Sequence, residues 1–345
     1  MSRGSDYLRG LQTDELVTAS MTVTGPVMVL VNMLGMLQRA PRICAFLERW
    51  GRWEREGGNA PSSYILQRLV LVAFMVIFLG CMGQVLTPGS YHISGANITT
   101  IPTKVADGVF WFVSIPSITC PSCLYAFFVA CLARAFKSVA KDCRDLATPT
   151  ATPTPEGVGA WAFQRQAQPT GDATWRRGRD EGVRAVVEKY KTLDALLEEA
   201  NAAFSPLLLL TLVYFGVELC MFVYGAMVKL LFENTSYRGL GVGIMYAVFF
   251  LVLLLAVTEA AQAVENESGA CVAVLGGLTK DDLPDEGLQR LATFLPLALA
   301  RPPTCHASSF FSINRKLLVA ILSATLTYII ILVQFKKSES SRLRF

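Results

Sequence analysis

Two histidines, no long block of like charge and only 17% charged residues in a chain of 345 set the first limits. Ordinary soluble domains carry roughly a quarter of their residues as charges. Here 52% of residues are hydrophobic and the mean hydropathy is +0.43, which points to an all-α polytopic membrane protein. The formal net charge of +4 is spread through the loops, so nothing offers a surface for nucleic acid. His92 and His306 lie far apart and the nine cysteines show no zinc-ligand spacing, so no metal or other cofactor is expected. Cys120 and Cys123 form a CxxC, but inside a hydrophobic segment with no second pair, where small packing residues are the expected role. No nucleophile, base and orienting group can be assembled, so the chain does not read as an enzyme. Nor does a secretory leader stand out, because the polar N-terminus carries acids before any apolar run.

What the chain has in quantity is hydrophobic length. Six stretches read as spans: Thr22–Leu37, Ile65–Leu86, Val109–Ala133, Phe204–Leu231, Gly241–Ala261 and Leu317–Phe335. The first is short and broken by Gly25–Pro26. Basic residues alternate between the connections. Five arginines lie between Arg39 and Arg55, and eleven Lys and Arg lie between Arg134 and Lys191. The last connection holds Lys280, Arg290, Arg301, Arg315 and Lys316, whereas the other two hold only Lys104 and Arg238. The basic loops are therefore expected in the cytoplasm and the C-terminus outside. The glycosylation signals at Asn97 and Asn234 fall in the two basic-poor loops, in keeping with this orientation.

Three units follow. Residues 1–147 carry the first three spans. Residues 148–180, rich in Thr, Pro, Gly and Ala without a hydrophobic period, read as a disordered cytoplasmic insert. Residues 181–345 begin with an amphipathic helix, in which Val183, Val186, Val187, Tyr190, Leu193, Leu196, Leu197 and Ala200 recur at helical spacing. Ser205–Pro206 then marks a start or kink of the following span. Glu218 sits in mid-span, where an acid is neutralised, paired or facing a cavity.

The final span holds no charge, and its polar residues Ser323, Thr327 and Gln334 fall on one helical face, with Ile331 between the last two. Such a stripe hides from lipid, against other helices or around water. The run TYIIILVQF, Thr327 to Phe335, fits without a gap a TYhhhhhQF pattern (h, hydrophobic). The lead-in FFSINRKLL, Phe310 to Leu318, fits as well. Together they resemble the C-terminal signature of the insect gustatory receptors, members of the insect chemoreceptor superfamily that includes the odorant receptors. The segments MLGMLQRAPRICAFLERWGRWE from Met33 and EKYKTLDALLEEANAAFSPLLLL from Glu188 are similar to the family too, so that the resemblance runs from about Val23 to the end. That family has seven spans and an external C-terminus. With six spans here, the resemblance implies that the first helix is absent.

The resemblance further implies a ligand-gated, non-selective cation channel in the plasma membrane of sensory neurons. It would be a homo- or heterotetramer with other gustatory receptors, opened by a small-molecule tastant, sugar or bitter. The last helix of each subunit would line the pore. Gln334 would form a polar ring, Ile331 and Phe335 a hydrophobic constriction, and Thr327 and Ser323 a wettable continuation. The cytoplasmic helices would hold the subunits together. A ligand pocket would lie in the outer half of the bundle, where depth places Phe110, Trp111 and Ser114 together with Tyr246 and Phe249. Core packing is the competing role for these aromatics. A non-conducting subunit that tunes other receptors in a heteromer is the alternative. A G-protein-coupled receptor is disfavoured by the absence of DRY-like and NPxxY-like motifs, and a transporter by the lack of an evident internal repeat.

Overall fold

The computed structural model describes residues 13–57, 101–147, 171–231, 237–278, 283–308 and 310–342. Among them are six helices: α1 (Thr13–Gly57), α2 (Ile101–Ala147), α3 (Gly171–Leu231), α4 (Tyr237–Gly276), α5 (Asp285–Ala300) and α6 (Arg315–Arg342). A two-residue antiparallel pair, β1 (His306–Ala307) and β2 (Phe311–Ser312), leads into α6. Four helices are long and apolar enough to cross a membrane, over Ser117–Leu146, Arg179–Val228, Ile244–Gly276 and Arg315–Ser338. The expected span Ile65–Leu86 and the sites Asn97 and Asn234 lie outside the described residues.

Helices α1 to α4 are far longer than a bilayer is thick. At 1.5 Å per residue α3 reaches about 90 Å, whereas a hydrocarbon core needs about 30 Å. Its surplus projects on the side of the basic loops, where the ends of α2 and α4 and all of α5 pack against it. The chain directions follow from contacts. Thr24 approaches Glu218, and Arg39 reaches Ala202, so α1 and α3 are antiparallel. Tyr125 meets Asn201 and Asp142 meets Lys189, so α2 and α3 are antiparallel as well.

Three aromatic layers fill the core. Phe46 of α1 meets Phe128 of α2 edge-on at 5.1 Å, with Phe204 of α3 closing the group. Tyr190 of α3 lies between Phe136 of α2 and Phe294 of α5. Phe215 and Phe222 of α3 pack on Phe250 and Tyr246 of α4. Offset and edge-to-face rings add to their burial, which is large for any aromatic.

Two sequence expectations need correction. Gly25–Pro26 does not break the first span, because α1 runs through Pro26 and Pro41. Neighbouring helices can satisfy the backbone groups that a proline frees. Residues 171–180, assigned to a disordered insert, are the first turns of α3. They are held by contacts remote in sequence: Arg179 is buried, and Asp180 accepts a 2.8 Å hydrogen bond from Arg290 of α5.

Pro206 shows how a freed carbonyl is satisfied. It lies inside the continuous α3, and without an N–H it leaves the carbonyl of Ala202 without its helical donor. The Arg39 guanidinium of α1 donates to that oxygen at 2.8 Å. Arg39→Leu should therefore lower stability by about 1 kcal/mol in the native background. In a Pro206→Ala background, where the helix supplies its own donor, the same change should cost almost nothing. A double-mutant cycle by thermal unfolding in detergent measures the difference, and equal costs in both backgrounds would refute the link.

Candidate functional site

The helix α6 begins with a built cap. Asn314 Oδ1 accepts the N–H groups of Lys316 and Leu317, at 3.1 and 3.2 Å, which satisfies two of the donors left open at a helix start. Arg315 then makes a forked pair with Glu259 of α4, at 2.8 and 2.7 Å. Beyond this anchored end, contact with the other described residues is thin. Over the expected span, Leu318, Thr325 and Ile329 are buried, while Val319, Leu326, Tyr328 and Phe335 are each about 60% exposed, at 62%, 61%, 63% and 61%.

The direction of the exposed face matters more than its extent. At about 100° per residue, Ser323, Thr327 and Gln334 project roughly 180° from the packed pair Thr325 and Ile329. All three are exposed. Ile331, 40% exposed, flanks the stripe, and Phe335 stands further round the helix. The Thr327 hydroxyl is satisfied by the carbonyl of Ser323, at 2.9 Å. The Gln334 amide projects on the same face.

The segment before α6 is pinned to the middle of α3. Asn201, fully buried, accepts from the Tyr125 hydroxyl at 3.0 Å and donates to the carbonyl of Thr304 at 2.9 Å. Ser205 Oγ donates to the carbonyl of His306 at 2.9 Å and accepts the N–H of Ser308. Ser308 has φ 51°, in the left-handed region that non-glycine residues rarely adopt, and the bond from Ser205 holds it there. Between these ties Cys305 is 2% exposed, and burial pushes its thiol up to about 12. At the edge, Arg301 donates to Glu198 at 3.2 Å. About two helix turns of α3, from Glu198 to Ser205, thus fix the entry to α6.

Residues 3–339 match the family model described as 7tm chemosensory receptor. The chain belongs to that family. No curated protein matches it significantly. Among solved structures, the fold is similar to that of the insect olfactory receptor OR5 from Machilis hrabei in complex with eugenol. That match has a TM-score of 0.67 at 13% identity and covers 92% of this chain and 82% of the other. A second structure of OR5 from Machilis hrabei matches with a TM-score of 0.58 at 13% identity, over 95% of this chain and 83% of the other. The chain is therefore a multi-pass membrane receptor with an odorant-receptor fold, and its family is not one of enzymes.

In this chemosensory receptor the expected ligand residues fall in two places. Phe110, Trp111 and Ser114 lie in the first turns of α2, with side chains outside the described residues. Tyr246 and Phe249 lie on α4. The Tyr246 ring stacks on Phe222 with centroids 5.0 Å apart and is 3% exposed, while the Phe249 ring meets Phe250 at 5.5 Å. Beside them an apolar groove of about 310 Å³ runs between α3 and α4, lined by Val223, Met227, Leu230, Ile244 and Val248 among others.

Glu218 is buried, with Thr24 donating to it at 3.4 Å and Tyr214 also in hydrogen-bond contact. Among the described residues the acid is thus held by hydroxyls. Asn201, Ser205 and Asn314 were not singled out from sequence. The signal was there in part: an Asn and a Ser at i and i+4, just before a proline, place two hydrogen-bonding groups on one face of a helix entering the membrane.

Proposed function

We propose that this receptor is a gustatory receptor acting as a ligand-gated, non-selective cation channel. It is opened by small-molecule tastants and assembled as a homo- or heterotetramer in the plasma membrane of sensory neurons. One observation carries the reading. The polar stripe of α6 points away from the described helices that pack on it, and hydrocarbon cannot satisfy its Gln334 amide. Copies of α6 facing one another around water would satisfy all of it at once. Gln334 would then partly solvate a passing cation, while Ile331 and Phe335 would close the path by dewetting. No acid stands on this stripe, in keeping with weak discrimination among cations. The run TYIIILVQF favours taste over smell.

The basic-loop side is assigned to the cytoplasm and the end of α6 to the exterior, with Asn97 and Asn234 as glycosylation sites. The ligand would enter the outer half of the bundle, near Phe110, Trp111, Ser114, Tyr246 and Phe249. Aromatic faces with a few hydroxyls suit sugars and bitter compounds alike. The test is whole-cell recording from cells expressing the chain, alone and with other gustatory receptors, during application of a tastant panel. A tastant-evoked cation current is expected, with Trp111→Ala moving the half-maximal concentration by about tenfold or more, on the scale of one lost aromatic contact. A surface-delivered receptor that conducts under no pairing would remove the channel reading, and an unmoved dose–response curve would remove the pocket.

A further inference from the structure

Cys143 of α2 and Cys271 of α4 are both fully buried, and their sulfurs lie 3.2 Å apart. They are 128 residues apart in sequence and belong to two helices that pack along much of their length. Both are free thiols. Cys143 stands ten residues beyond the expected end of the second helix's span at Ala133, and Cys271 ten beyond Ala261, so the pair lies within the bundle on the basic-loop side.

We propose that Cys143 and Cys271 form a reversible disulfide, a modification site by which peroxide oxidises the receptor's helical bundle. The geometry needs little adjustment. A disulfide has sulfurs about 2.0 Å apart, so the pair has roughly 1.2 Å to close, within the reach of small side-chain rotations. Packing has already brought together two side chains that would otherwise have to find each other across a long chain.

The oxidant is hydrogen peroxide. Sulfur of one cysteine attacks a peroxide oxygen, the O–O bond breaks, and one water leaves with the thiol proton, giving a sulfenic acid. Sulfur of the other cysteine then attacks that sulfenic sulfur. The S–O bond breaks, and the hydroxyl leaves as a second water with the second thiol proton. In sum, two thiols and one peroxide give one disulfide and two waters, and a dithiol reductant reverses the result.

A cleft of about 420 Å³ on the same side of the bundle is lined by Tyr190 of α3, by Ser268, Gly269 and Val272 of α4, and by Leu295 and Leu299 of α5, and neither cysteine lines it. Both thiols are buried, unlike the exposed Cys44, so peroxide reaches them through local opening of the packing between α2 and α4.

The experiment uses the full-length wild-type chain in native membranes. Samples are treated with hydrogen peroxide, blocked with N-ethylmaleimide under denaturing conditions, digested and analysed by mass spectrometry. Exposed Cys44 reports the dose. Without peroxide, both cysteines should be alkylated. At a dose that oxidises Cys44, both labels should be lost and a Cys143–Cys271 peptide pair should appear, two hydrogens lighter than its parts and restored by dithiothreitol. The melting temperature of the oxidised receptor in detergent should rise by roughly 5 °C or more, because a cross-link closing so long a loop restricts the unfolded chain. Cys143→Ala should show no such rise. Full alkylation of both residues while Cys44 is oxidised overturns the proposal, as does a pair already linked before peroxide is added.

Discussion

Gln334→Arg should abolish the tastant-evoked cation current while leaving the amount of receptor at the cell surface unchanged. Gln334 is exposed on α6, on the face opposite the packed residues Thr325 and Ile329. In a four-fold assembly the substitution sets four fixed positive charges around the path. At about 5 Å from the axis each opposes a monovalent cation by roughly 0.8 kcal/mol even at the dielectric constant of water. Four together add about 3 kcal/mol, which slows passage on the order of a hundredfold. A narrow, partly dewetted path raises that figure. Gln334→Glu should act in the opposite sense, drawing cations in and excluding chloride, and reversal potentials in diluted external salt measure this. If both variants conducted like the native receptor, position 334 would not face the ions.

Asn201→Leu should destabilise the receptor as strongly as any single polar substitution among the described residues. The side chain is completely buried and joins three elements: it accepts from Tyr125 of α2 and donates to Thr304 ahead of the strand pair, from its own place in α3. Leucine keeps the volume and removes both bonds, taking from the Tyr125 hydroxyl and the part-buried Thr304 carbonyl the partner that each has in Asn201. At about 1–3 kcal/mol for each orphaned group, the loss is a large part of the stability that a folded domain has to spare. Thermal unfolding in detergent should register a fall of about 5–10 °C. Tyr125→Phe, which removes one donor and keeps the ring, should show a smaller fall. The two changes together should cost less than their sum, since they share a bond. An unchanged melting temperature for Asn201→Leu would mean that the entry to α6 is not held at this point.

How much of this was legible in the sequence depends on the distance over which each feature is determined. The last helix was legible almost to its ends. Its apolar run and the period of Ser323, Thr327 and Gln334 are both local, and α6 starts two residues before the expected span and ends seven beyond it. The start of α3 was not. Residues 171–180 lack a hydrophobic period of their own, and their helix depends on Asp180 finding Arg290, which lies 110 residues away. The continuity of α1 through Pro26 and of α3 through Pro206 was hidden for the same reason. A proline shows what it removes, but not whether another helix supplies the missing donor, as Arg39 does for Ala202.

The site was legible in outline. Periodicity alone marks a polar face on α6, but only the packing of Thr325 and Ile329 tells which way it points. Depth was a coarser guide to α4. The Tyr246 ring lies against Phe222, which depth does not reveal. Strands of two residues carry no alternation to detect, so the pinned segment from Thr304 to Ser308 emerged only with its partners on α3.

The sparse packing of α6 also bears on how such a protein is made. In a newly inserted single chain the Gln334 amide of this helix stands on an exposed face and would meet lipid, whereas the Thr327 hydroxyl is already held by the Ser323 carbonyl. That state is a few kcal/mol above one in which such amides find each other across neighbouring chains. The yield of mature receptor should then rise more steeply than in proportion to synthesis, because each chain waits in the membrane for company. Weak expression would leave orphans exposed to membrane quality control, and co-expressed relatives with a compatible last helix would rescue them.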